Sequence, residues 1–119
     1  MGDVLTYDAL AAITDILDAQ TWYGGWGTGA GAAARTDHTL STEASEAREV
    51  AVLTRETISQ TNDTLVASFT MTADGAKTIT NAGVLTASPG GTLVLHSSFT
   101  GIPVTLAQTF AFVFKLRFK

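Results

Sequence analysis

Apolar residues recur with two different periods along this chain, and the change between them divides it. Between Tyr7 and Asp18, Leu10, Ile13, Ile16 and Leu17 fall on one side of a 3.6-residue spiral, and Asp8, Asp15 and Asp18 fall off it. That pattern predicts an amphipathic helix over 7–18 with one dry face. Thr6 stands where a hydroxyl caps the first turn, and Asp8 where the helix dipole favours an anion. From residue 49 the period becomes two. Val50 and Val52 alternate with Ala51 and Leu53 on a strand predicted to reach about Gln60. Leu65, Ala67, Phe69 and Met71 share one face of the next strand, 64–72. Two more follow, one through Ile79 towards Leu85 and one over 92–99, where Leu93 and Leu95 face the same way. The last, 109–118, alternates most clearly: Phe110, Phe112, Phe114, Leu116 and Phe118 on one face, Ala111, Val113, Lys115 and Arg117 on the other.

Turn residues stand between these strands: Asn62-Asp63, Asp74-Gly75, Pro89-Gly90-Gly91 and Gly101-Ile102-Pro103. Short alternating strands at such intervals predict a mainly β domain, an antiparallel β-sandwich or small barrel. The N-terminal α-helix would cover one opening or one sheet face. The helix and the β-region are joined by Thr21-Trp22-Tyr23-Gly24-Gly25-Trp26-Gly27 and then by a long Gly/Ala/Thr-rich loop, about 27–47. A helical turn is expected within that loop near 42–47. The whole chain, 1–119, reads as one domain.

Composition adds one constraint. Charged residues make up 15% of the 119, where soluble domains average about 25%. Twenty threonines and eleven glycines stand in for the missing charge. Either threonine alone keeps such a surface wet, or neighbouring subunits cover part of it; the second is expected here. A net charge of −4 argues against binding nucleic-acid backbones. The acidic start lacks the basic stretch of a secretory signal, and the apolar run 110–114 is far short of a membrane span, so synthesis in a cytoplasm and no membrane partner are expected.

Residues that could carry chemistry are few. There is no cysteine. His38 and His96 lack the paired spacing of a zinc motif and read as solvated or singly hydrogen-bonded. No Gly-x-Ser-x-Gly elbow occurs, and the glycines from Gly25 to Gly31 fall at every second position with no lysine after them, unlike a phosphate-binding loop. Glu43, Glu46 and Glu49 lie among Arg35, Arg48 and Arg55, the pattern of a charged face or salt-bridged corner rather than of carboxylates across a cleft. No cofactor, metal or enzymatic activity is expected.

The residues expected at contacts with other subunits are therefore Trp22, Tyr23, Trp26, Leu40, Glu43 and Arg48, from the glycine-aromatic strand and the loop. Lys115 and Arg117, with Lys119, form a basic end that either protects a sheet edge or docks on an acidic partner. The phenylalanines beside them must be core, within the chain or between subunits.

Several of these residues recur in order in a known group. Gly27-Thr28-Gly29 follows an aromatic strand, then come Leu40, Glu43 and Arg48, and then a threonine-rich hairpin. Ile79-Thr80-Asn81-Ala82-Gly83-Val84-Leu85, Gly91-Thr92-Leu93, Phe99, Ile102 and Val104 precede a terminal alternating strand. In this the chain resembles small structural proteins of tailed bacteriophages, found as virion accessory proteins and at the head of tail-fibre or collar-type proteins. Where such proteins often have Gly-Asp before the last strand, this chain has Ala107-Gln108. The resemblance implies a β-rich, non-enzymatic virion component, commonly a homotrimer, whose partners are copies of itself and the major capsid protein or other virion proteins. Capsid decoration is the expected role, with tail, neck or fibre attachment as the nearest alternative. A carbohydrate-binding module is the alternative of another class, with Trp22, Tyr23 and Trp26 stacking on sugars.

Overall fold

The computed structural model describes residues 2–118. The fold is mainly β, as the alternation predicts. One helix, α1 (Tyr7–Asp18), precedes β1 (Tyr23–Gly27), β2 (Glu49–Val50), β3 (Val52–Glu56), β4 (Thr64–Thr72), β5 (Lys77–Leu85), β6 (Leu93–Val104) and β7 (Thr109–Arg117). They form two antiparallel sheets packed as a sandwich, one in the order β2-β1-β5-β6 and the other β3-β4-β7. The predicted 49–60 strand is in fact two, because the chain changes sheet at Ala51. Glu49 and Val50 pair with β1, whereas Val52–Glu56 pairs with β4. The buried Ala51 donates its N–H to the Trp22 carbonyl at 2.8 Å, which pins the corner.

The core lies between the sheets. Leu65, Ala67, Phe69 and Met71 of β4 point into it from one side and Trp26, Ala82 and Val84 from the other, all buried. The β7 phenylalanines occupy the predicted face but are only half-buried. Phe112 stacks on Phe69 with centroids 5.3 Å apart and meets Trp26 edge-on at 6.2 Å. Offset and edge-to-face rings such as these add to what area burial alone provides.

Helix α1 has the predicted bounds, and the Thr6 hydroxyl accepts from the Ala9 N–H. Its dry face is the predicted one turned by part of a turn: Leu10 is buried and Ile13 and Leu17 half-buried as expected, but Thr14 takes the place expected for Ile16. Leu10 and Thr14 are buried, while Ile16 is 63% exposed. Thr14 can sit inside because its hydroxyl donates to the Asn62 carbonyl at 2.7 Å and to its own helix at Ala11. The helix leans on β3 and β4 at one end of the sandwich, where Arg55 reaches Thr14 and the Ala11 carbonyl.

β6 also departs from expectation. Gly101-Ile102-Pro103 does not end it; the strand continues to Val104. Ile79 pairs with Ile102 and Asn81 with Ser98, so three β6 residues bulge opposite Thr80. Pro103 is tolerated because β6 is a sheet edge, where one missing N–H costs no ladder bond. A second shift between Leu93 and Leu95 separates these two leucines: Leu95 pairs with inward-facing Val84, and Leu93 approaches Gly83 on the outer side.

Candidate interaction surface

Strand β1 is central in its sheet, and its glycines explain how a third layer is laid on it. Trp22, Gly24 and Trp26 face the core, Gly25 and Gly27 the opposite side. A β-carbon at Gly24 would overlap the Phe69 ring, so this glycine lets the other sheet come close. On the outer face Gly25 pairs with Gly83 of β5, leaving a shallow hollow. Leu40, buried, fills it: its δ-carbons would lie 3.0 Å and 2.8 Å from β-carbons at Gly25 and Gly83.

The rest of the loop, 28–47, is tied down by hydrogen bonds rather than by apolar contact. Thr28 and Gly29 donate to the carbonyls of Thr42 and Ser41. Buried Asn81 accepts from the Ser41 N–H at 3.0 Å and donates to the Ser41 carbonyl at 3.0 Å, and the Thr80 hydroxyl donates to the Gly29 carbonyl. The expected helical turn near 42–47 is absent; Thr42 has φ 49 and Glu43 makes a lone bridge with Gly27. His96 is no solvated histidine. Its Nδ1 lies 2.7 Å from Asp37 and its Nε2 3.0 Å from Asn81 Oδ1, which fastens the far end of the loop to β6. The Ala34 N–H and then His96 hold the Asp37 carboxyl below the usual carboxylate range. His38 is exposed.

The glutamates form the salt-bridged corner the sequence predicts. Glu43 takes Arg48 in a two-pronged pair, both contacts 2.8 Å, and the free guanidinium nitrogen donates to the carbonyls of Ala87 and Gly90 at 2.7 Å. Glu46 accepts from the Trp26 indole, the Asp74 N–H and the Lys77 ammonium. Burial works against its charge, but Lys77 and these donors outweigh it and hold its pKa low.

The eight residues expected at subunit contacts are thus spread over three places, and most are used within the chain. Trp22 and Trp26 are core, 5% and 1% exposed, so they form no platform for sugar rings. Tyr23 is half-buried at the start of β1. Leu40, Glu43 and Arg48 bind the loop to its own sheet. The glycine-aromatic strand and its loop meet each other within the chain, because glycine-bare strands accept any close backbone and this one is supplied nearby. Lys115 pairs with Glu56 at 3.0 Å, and Arg117 lies 3.6 Å from Asp63 and donates to Ser59 at 2.5 Å. Lys119 lies outside the described residues.

What remains uncovered among the described residues is one end of the outer face of β3-β4-β7. The register places Val52, Ser68 and Val113 in one row and Thr70 beside Ala111 in the next. Val50, Val52 and Val113 are each about 60% exposed, and no charged side chain interrupts this end of the face. Beside it, between the edges of β6 and β7, an open groove is lined by Leu95, Phe99, Ile102, Phe112 and Phe114. Alternation alone assigns Val113 to the face opposite the phenylalanines. What it cannot supply is that, among the described residues, no other element covers the Val52–Val113 end of that face, whereas Thr64 at the other end is buried. Compared with protein-family models, curated proteins and solved structures, the chain finds no match in any of the three.

Proposed function

We propose that this chain is a non-enzymatic structural subunit of a bacteriophage virion, made in the host cytoplasm, that self-associates, with a trimer as the expected unit, and decorates the capsid by cementing neighbouring capsomers. The observation that carries the reading is the uncharged, valine-lined end of the outer face of β3-β4-β7, around Val52, Ser68, Thr70, Ala111 and Val113, on a chain with 15% charged residues. An apolar face of this kind on a small domain marks a contact surface. Two further observations agree with it. Asp37, Glu43, Glu46 and His96, the polar groups nearest to a chemical role, are each engaged in internal hydrogen bonds. And part of the set that carries the phage resemblance, Gly27, Gly29, Leu40, Glu43, Arg48, Asn81 and Gly83, meets at the lock between loop and sheet.

Attachment at a tail, neck or fibre would use the same face, and imaging separates the two. Virions assembled without this chain should lose regularly placed knobs from the shell and release DNA more readily on heating. Missing tail appendages would move the subunit to the tail. Virions of unchanged composition and outline would overturn the reading.

A further inference from the structure

Of the four strands at sheet edges, three carry the usual protection against pairing with another chain. β2 has two residues, β3 five before its turn, and β6 a bulge and Pro103. β7 has none of these, and its edge charges, Lys115 and Arg117, are paired over their own sheet. It runs nine residues in unbroken register with β4, without proline, glycine or bulge.

The direction of its free groups follows from its ends. The Gln108 carbonyl accepts from Ala73, and the Phe118 N–H donates to Asp63, so the even-numbered residues turn their N–H and C=O towards β4. In an antiparallel strand alternate residues turn the other way. Thr109, Ala111, Val113, Lys115 and Arg117 therefore aim theirs out of the sheet, and among the described residues no hydrogen bond reaches them. Phe110, Phe112 and Phe114 stay half-buried along the same edge, the last two over the open groove.

We propose that this edge pairs with the β7 edge of a second copy, antiparallel and two-fold about Val113. The side chains choose the occupant and the register. Centred on Val113, the ladder uses the whole strand, and every outward-facing residue exchanges both its groups with another outward-facing one. Phe112 then stands beside Phe114 of the second copy, so each half-buried ring covers another. Lys115 meets Ala111 and Arg117 meets Thr109. Sliding towards the C-terminus would set Lys115 against itself or against Arg117, like charges directly opposed. Glu56, Ser59 and Asp63 hold both cations over their own sheet, away from the edge.

The inference goes beyond the virion reading and does not depend on it. Sedimentation equilibrium of the full chain should give two chains, or six where trimers are joined in pairs; one or three would overturn it. Val113→Pro removes an N–H that the single chain does not use. It should halve the mass and leave the far-ultraviolet circular dichroism unchanged; an unchanged mass would sink the proposal. Should that variant misfold, single cysteines in this cysteine-free chain read the register directly. Oxidised Val113→Cys should yield a covalent two-chain species, and Ala111→Cys, facing Lys115, about tenfold less, since paired residues lie within disulfide reach at about 5.5 Å. Equal yields would overturn the register. A two-fold dimer that leaves no mark on virions would remove the proposed function and keep this contact.

Discussion

Leu40 and Gly83 are complementary halves of one contact: the leucine occupies the space a side chain on β5 would otherwise fill. At Gly83 an added β-carbon would lie 2.7 Å from the Leu95 carbonyl oxygen and 2.8 Å from the leucine Cδ2. Backbone on one side and a buried side chain on the other leave no direction in which to yield.

Both halves can be tested by stability. Leu40→Ala should cost about 2–5 kcal/mol, the range for emptying a buried leucine site. Gly83→Ala should cost about 1–3 kcal/mol through overpacking. In urea denaturation the two should be less than additive when combined, because the smaller side chain at 40 makes room at 83. Strict additivity would mean that the two residues do not share the site.

The Glu43–Arg48 pair depends on shape as well as charge. Arg48 is 10% exposed at its side chain and uses one face for the carboxylate and another nitrogen for the Ala87 and Gly90 carbonyls. Lysine keeps the charge but cannot make both contacts. Arg48→Lys is therefore expected to lose about 1–3 kcal/mol, the cost of leaving such acceptors without a donor. Hydrogen exchange should quicken first in the 86–92 turn. An exchange pattern identical to the parent would remove this role.

How much of this was legible in the sequence depends on what each element leans on. The helix bounds and the β4 and β7 faces follow from periodicity, because a residue's side of a helix or strand is a local property. Ile16 lies outside the buried face because Thr14 turns inward to meet a distant carbonyl, that of Asn62. Proline at 103 and the change of sheet at Ala51 depend on which strand is an edge, a property of the assembled sheets. Gly24, Gly25 and Gly27 did signal a close approach, but not by whom. For that reason Trp22, Trp26 and Leu40 turn out to be buried within the chain: the loop that fills the hollow belongs to the same chain.

Acid should unfold the protein partly through Asp63. Its carboxylate is buried and accepts from the N–H groups of Ile58, Ser59 and Gln60 and from the Thr64 hydroxyl. The Ile58 N–H first, then those of Gln60 and Ser59, hold its pKa far below the ordinary aspartate value. A carboxyl whose pKa is lower folded than unfolded stabilises the fold above the unfolded value and loses that contribution as pH falls towards the folded one. Stability should thus decline from about pH 4 downwards, where the unfolded chain begins to take up the proton. Asp63→Asn should be less stable at neutral pH and show a shallower acid limb. An acid limb as steep as the parent's would place the effect elsewhere, with Asp37, Asp74 and Glu46 as the next carboxylates to replace.

The turn into β7 holds a non-glycine residue in the left-handed region. Ala107 has φ 69, the left-handed conformation that glycine adopts freely, and its N–H is bound to the Ala73 carbonyl at 2.9 Å. The backbone here takes a glycine-type conformation with a β-carbon on it, at a cost of about 1–2 kcal/mol. Ala107→Gly should recover most of this, less what the more flexible unfolded chain gains. A net stabilisation of about 1 kcal/mol is expected, a rise of about 4–8 °C in Tm for a domain approaching this size. The side chain is exposed, so no packing is lost in the exchange. A variant of equal or lower Tm would mean that alanine is not strained at this position and that the turn is held by Gln108, whose side chain accepts from the Thr105 N–H at 2.7 Å.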